Sequence, residues 1–98
     1  MYLLYLLWEG LKLVKKNHYS VQVLATAFVL INAEIGSESE VLKGLKEIGE
    51  VKEAHMVYGV YDIIARITTE TMQELKDIIS WKIRRLDKVR STLTMIVV

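Results

Sequence analysis

The chain predicts an α+β sandwich of ferredoxin-like βαββαβ order, and three observations carry that prediction. Apolar residues alternate with a two-residue period in four separate stretches, as strands with two distinct faces require. Two of the intervening stretches carry helical apolar stripes that open on capping residues. Between the second and third strands stands Tyr58-Gly59-Val60-Tyr61-Asp62, a turn too short for a crossover, so the middle pair is a hairpin and each helix links strands outside it.

Residues 1–23 read as an amphipathic helix and linker placed before the sandwich. Over Met1 to Asn17, Leu3, Leu4, Leu7, Leu11 and Val14 lie close to helical spacing, and Lys12, Lys15 and Lys16 gather where cations suit the macrodipole. Glu9 and Lys12 interrupt the run well short of the roughly 18 apolar residues of a membrane span. No basic residue precedes it, as a signal peptide requires, although Ala25-Thr26-Ala27 has the small residues of a cleavage site. With Trp8 and its leucines, the helix suits packing on a neighbouring subunit better than lying on a membrane. The alternative is upstream sequence ahead of a natural start near Val23 or Leu24.

Residues 24–98 form the second unit. Ala25 to Ala33 is rich in β-branched and aromatic residues and reads as the first strand. After Gly36, Ser37-Glu38-Ser39-Glu40 matches a capping box. The helix it opens carries Val41, Leu42, Leu45 and Ile48, with Gly49 placed to end it. Val51 to Tyr58 then sets Val51, Glu53, His55 and Val57 on one strand face, and Tyr61 to Thr68 repeats the alternation. Gly59 admits positive φ at the turn, and Asp62 bonds nearby backbone N–H groups. Thr69 or Thr71 caps a second helix with the stripe Met72, Leu75, Ile78, Ile79, Ile83 and Leu86, and Arg84 and Arg85 near its end. Val89 to Val98 closes the chain as the last strand.

Right-handed crossovers put both helices on one face of the four-stranded sheet. The strands nevertheless carry apolar residues on both faces, Ile63, Ala65 and Ile67 against Ile64, and Leu93 and Met95 against Ile96 and Val98. Sheet-to-sheet dimerisation is the simplest cover for the second face. Composition agrees: 52% of the 98 residues are hydrophobic without counting Gly, against about 45–50% for a typical domain with Gly included.

Charge and chemistry remove several functions. With 13 basic and 12 acidic side chains the net charge is +1, too balanced for general nucleic-acid binding. Absence of Cys excludes disulfides and thiolate catalysis. His18 and His55 stand alone, without the converging ligands a zinc site needs, so no metal or cofactor is expected.

Ala27-Phe28-Val29-Leu30-Ile31, Val51-Lys52-Glu53-Ala54, the Gly59-x-x-Asp62 turn followed by Ile63 and Ile64, and the ending Thr92-Leu93-Thr94-Met95-Ile96-Val97-Val98 together resemble the regulatory domain of Lrp/AsnC transcription regulators. This RAM domain, named for regulation of amino-acid metabolism, would cover about Leu24 to Val98. The resemblance implies a dimer formed through the sheets, commonly assembled to an octamer, with an amino-acid effector bound between dimers. Carried over, Tyr58, Gly59, Val60, Tyr61 and Asp62 line the turn side of that pocket, and Thr92 and Thr94 supply hydroxyls from a neighbouring subunit. A zwitterion needs donors for its carboxylate and acceptors for its ammonium. Asp62 is placed either to accept from the ammonium or only to hold the turn.

Met1 to Asn17 offers one helix where the full-length regulators carry a two-helix DNA reader. The resemblance therefore implies a stand-alone RAM protein, cytoplasmic, without direct DNA binding, working by homo-assembly or with regulators that carry helix-turn-helix heads. Leu93 replaces the small polar residue often found between the two threonines, which reshapes the pocket. Three rivals remain. A small enzyme of the dimeric α+β barrel class would have to use His55, Tyr58, Tyr61 and Asp62, without a third orienting group. An RNA-binding RRM fails where Asp62 replaces an apolar residue. An ACT-type amino-acid sensor predicts the same ligand class with a different pocket.

Overall fold

A computed structural model of the chain describes residues 24–98; the expected N-terminal helix lies outside them. The described elements follow the order β1 (Ala25–Ala33), α1 (Glu38–Lys46), β2 (Val51–Met56), β3 (Ile63–Thr69), α2 (Met72–Ile78) continued by a π-helical turn (Ile79–Ile83), and β4 (Val89–Ile96). One antiparallel sheet runs β2-β3-β1-β4. This is the expected βαββαβ sandwich.

Alternation along β1 decides which face is inside. Ala27, Val29, Ile31 and Ala33 are buried, and their partners Ile67, Ala65 and Ile63 on β3 are buried with them. Against this face pack Val41 and Leu45 of α1, Leu75 and Ile78 of α2, and Ile79 and Ile83 of the π turn. The other face carries half-buried Phe28, Leu30 and Ile64, with Leu93 and Met95 45% and 46% exposed. No described element covers it. Aliphatic side chains grouped on an open sheet face are what a second sheet buries.

The helix ends depart from expectation in instructive ways. Ser37 occupies the N-cap of α1, but at φ −110° and ψ 13° it is not extended and its hydroxyl makes no capping bond. The helix relies instead on Glu38 and Glu40 in its first turn and Lys43 and Lys46 in its last, where they complement the macrodipole. It stops at Lys46, tightened by Ile48 N–H donating to Leu45 C=O at 3.0 Å, and Gly49 is not among the positive-φ glycines. Gly49 is thus a residue of the following turn, not the helix stop.

Thr71 does cap α2. Its Oγ1 accepts from Glu74 N–H at 3.1 Å, while the Thr69 hydroxyl donates to Thr71 C=O at 2.7 Å. Both threonines work, one on the helix and one on its approach. Thr71→Ala is expected to cost about 1 kcal/mol in urea unfolding, and Ser37→Ala less than about 0.5 kcal/mol, because only the first removes a made bond. Equal losses would contradict the cap assignment.

The C-terminal half of the second helix widens. Arg84 N–H donates to Ile79 C=O at 2.9 Å, across five residues rather than four. Ile79 and Ile83 stay buried, and Trp81 is left 64% exposed with the Arg85 guanidinium 4.9 Å from its ring centroid.

Two bulges set the strand faces. On β2, Val51 pairs with Ile67 but Glu53 pairs with Arg66, so one extra residue lies between them. Val51 consequently packs on the core while Glu53 faces the open side, which corrects the expectation that they share a face. On β4, Ser91 pairs with Asn32 but Val89 pairs with Ala33, so Arg90 is the extra residue. Both hairpin strands are also shorter at the turn than the sequence pattern suggests, leaving residues 57–62 as connection.

Candidate functional site: the hairpin turn and the β4 edge

The turn stands at the end of the sheet where β1 finishes. Tyr58, Gly59 and Val60 are exposed, Tyr58 fully and Val60 at 85%, whereas Tyr61 and Asp62 are half-buried. Gly59 takes φ +150°, and a Cβ added there would meet nothing within 4 Å. Its conformation calls for glycine, and the space beside its backbone is open to whatever approaches. One fully exposed aromatic ring, Tyr58, and a bare stretch of main chain are therefore presented outward on a short, tied loop.

Asp62 ties it. Its C=O accepts from Val57 N–H at 2.9 Å, closing the hairpin. Its N–H donates to Ile31 C=O at 3.0 Å, and its Oδ2 accepts from Ala33 N–H at 3.0 Å. The local reason is plain: regular β3–β1 pairing ends at Ile63 opposite Ile31, and the carboxylate continues the bonding one step further.

Thr92 and Thr94 lie on β4 opposite Ile31 and Val29, half-buried at the sheet edge on the helix side. Ile63, Ile31 and Thr92 follow one another across the sheet, so the turn, which lies beyond Ile63, and Thr92 share one end of it, with Ile63 and Thr92 about 10 Å apart, two strand spacings. Within one chain the two groups do not converge. Thr92, with Arg84, Val89, Arg90 and Ser91, lines an open hollow of about 320 Å³. Arg90 and Ser91 did not stand out in the sequence, and Arg84 stood out only as a cation near the helix end; the lining comes together where the chain passes from the end of the second helix into β4.

The proposed enzymatic cluster does not form. His55 Nε2 lies 3.3 Å from Glu53 Oε1, and Arg66 grips the same carboxylate through Nη2 at 2.8 Å and Nε at 3.2 Å. Hydrogen bonds from Arg66, and then from His55, hold the Glu53 carboxyl below the usual carboxylate range. His55 and Glu53 thus belong, with Arg66, to a hydrogen-bonded network on the open face, while Asp62 is engaged with β1. Among the described residues no group of His, Cys, Asp and Glu is arranged to hold a metal ion, and no helix is long and apolar enough to cross a membrane.

Comparison with known proteins adds the context. Residues 26–98 match the family model described as the Lrp/AsnC ligand binding domain. An uncharacterized HTH-type transcriptional regulator of Pyrococcus furiosus is 31% identical over 85% of this chain and 57% of its own length. The chain spans about half the length of such curated relatives. Among solved structures, FFRP-DM1 is 42% identical, covering 76% of this chain and 99% of that one at a TM-score of 0.73. A transcriptional regulator of Neisseria meningitidis, solved as its L-Met complex, matches 93% of this chain and 68% of its own at a TM-score of 0.67; its 12% identity speaks to the fold alone.

Proposed function

The chain belongs to the Lrp/AsnC ligand binding domain family, and from that premise we propose that it binds an amino-acid effector between subunits and converts the binding into a change of assembly. It is a regulatory, non-catalytic module. One observation carries the finer reading: the tied turn with exposed main chain at Gly59 lies beyond Ile63, which is itself about 10 Å, two strand spacings, from Thr92 in the same chain, and one small zwitterion does not bridge that gap. A second subunit brings the two kinds of surface together. Tyr58, Gly59, Val60, Tyr61 and Asp62 then form or support one wall, and Thr92 and Thr94 of a neighbour form the other. Backbone N–H groups supply donors to the carboxylate, and carbonyls and hydroxyls supply acceptors to the ammonium.

Dimers joined through the open face, further assembled to an octamer, provide such a neighbour. Within residues 24–98 both helices belong to the sandwich and none forms a DNA-reading pair. Transcriptional control, in this reading, passes through association with chains that carry helix-turn-helix domains, in the cytoplasm. Support for the ligand class comes from the amino-acid complex of the Neisseria regulator, transferred here as a proposal. The test is calorimetric titration of the twenty amino acids with light scattering on the same samples. One or a few are expected to bind at millimolar concentration or below and to shift the mass distribution. A monomer that binds none of them would overturn the reading.

A further inference from the structure

We infer that Asp62 is a positioning residue, which fixes the exposed turn against β1 and, through β1, against the threonine strand, while leaving the effector's ammonium to neutral acceptors. The inference deepens the amino-acid-binding reading and rests on it.

Three bonds converge on this one residue. The Asp62 N–H and Oδ2 bracket Ile31 and Ala33, each at 3.0 Å, and its C=O holds Val57 N–H at 2.9 Å. Ala33 is 2% exposed, and the only partner its N–H has within the described chain is the Asp62 carboxylate. Regular pairing has stopped at Ile63, and the side chain does what another strand residue's carbonyl would have done. The chain can therefore leave the sheet at once and display Tyr58 to Val60, without stranding the end of β1.

The same segment of β1 determines where β4 begins. Ile31 pairs with Thr92, Ala33 pairs with Val89 across the bulge, and Glu34 N–H donates to Lys88 C=O at 2.9 Å. Asp62 thus stands on one side of residues 31–33 and the threonine strand on the other. Holding one holds the spacing of both. Oδ2 of this half-buried carboxylate is given to Ala33 N–H, which assigns Asp62 to the backbone rather than to holding the ammonium. Main-chain carbonyls near Gly59 and the hydroxyls of Thr92 and Thr94 from a neighbour remain for that task.

Asp62→Asn and Asp62→Ala separate the roles. Asparagine keeps an oxygen for Ala33 N–H and removes the charge; alanine removes both. For the amino acid that binds the parent protein best, Asp62→Asn is expected to bind within about threefold of it, and Asp62→Ala at least about thirtyfold more weakly. Amide hydrogen exchange provides a readout independent of any effector. Ala33 N–H should lose protection in Asp62→Ala and keep it in Asp62→Asn. Loss of binding in Asp62→Asn with Ala33 still protected would overturn the inference, because the charge itself would then contact the effector. Unchanged exchange at Ala33 in Asp62→Ala would overturn it equally. If the parent protein binds no amino acid, the functional reading fails, and the exchange result alone decides whether Asp62 positions the turn. Should Asp62→Ala not fold, Asp62→Asn still decides through its exchange and affinity.

Discussion

Ile31→Ala is expected to destabilise the domain by about 3–4 kcal/mol, against about 1 kcal/mol for Ile31→Val. Ile31 is fully buried near the end of β1, a central strand, with Ile63 across one ladder and Thr92 across the other. Both sheet neighbours and the helices above are held by continuous backbone, so little can collapse into the space a shortened side chain leaves. The lost transfer energy and the cavity therefore add. For a domain of this size, whose total stability falls within about 5–15 kcal/mol, that is a large fraction. Urea unfolding at fixed protomer concentration measures it, since association would make the midpoint depend on concentration. An Ile31→Ala loss under 1.5 kcal/mol would mean that this part of the core relaxes far more than its packing suggests.

The position of Ile31 also shows why the fold was legible from sequence. Its strand alternates strictly, with Ala27, Val29, Ile31 and Ala33 inward, and burial follows the alternation residue by residue. A period of two survives any uncertainty about strand ends. The stripe of the second helix was legible for the same reason, except that Met72 is 42% exposed and the π turn could not be read from spacing. An isoleucine at 79 and another at 83 fit an α-helix as well as a widened turn; the difference lies in which carbonyl the Arg84 N–H reaches.

Of the two threonines that the sequence offers as a cap for the second helix, Thr71 is the one used, whereas Ser37 makes no capping bond although Ser37-Glu38-Ser39-Glu40 matches a capping box. A cap needs an extended residue at the N-cap. Thr71 has φ −136° and ψ 157°, whereas Ser37, just after the turn at Gly36, does not leave its hydroxyl aimed at the helix N–H groups. The bulge at Lys52 escaped for a related reason. A single inserted residue flips every side chain beyond it, and composition does not mark where it falls.

Site residues were legible as a turn and as a threonine pair, but their relation was not. Gly59 announces a backbone that L side chains avoid, and the structure gives it φ +150°. That Oδ2 of Asp62 would spend itself on Ala33 N–H depends on a contact across 29 residues, which only the folded register creates. The proposed pocket between copies is further still from a local signal, because its two walls would come from different chains.

Leu30→Glu is expected to dissociate the assembly while leaving the protomer folded. Leu30 sits on the open face directly between Ile64 of β3 and Leu93 of β4, with Phe28 two residues along the same strand. In an isolated protomer it is only half-buried, so a carboxylate there can reach water and the helix-side core is untouched. Between two stacked sheets the same carboxylate is enclosed by aliphatic groups, and a two-fold operation brings the partner's copy close to it. Burying an uncompensated charge costs about 3–5 kcal/mol, which raises the dissociation constant by about two to three and a half powers of ten. Arg66, which lies on this face opposite Phe28, is already committed to Glu53 at 2.8 Å and offers little relief. Light scattering should therefore report a monomer, circular dichroism an intact α+β fold, and calorimetry the loss of amino-acid binding, since both walls of the proposed pocket come from different subunits. An unchanged mass would place the assembly on another surface, and retained binding in a monomer would place the whole pocket within one chain.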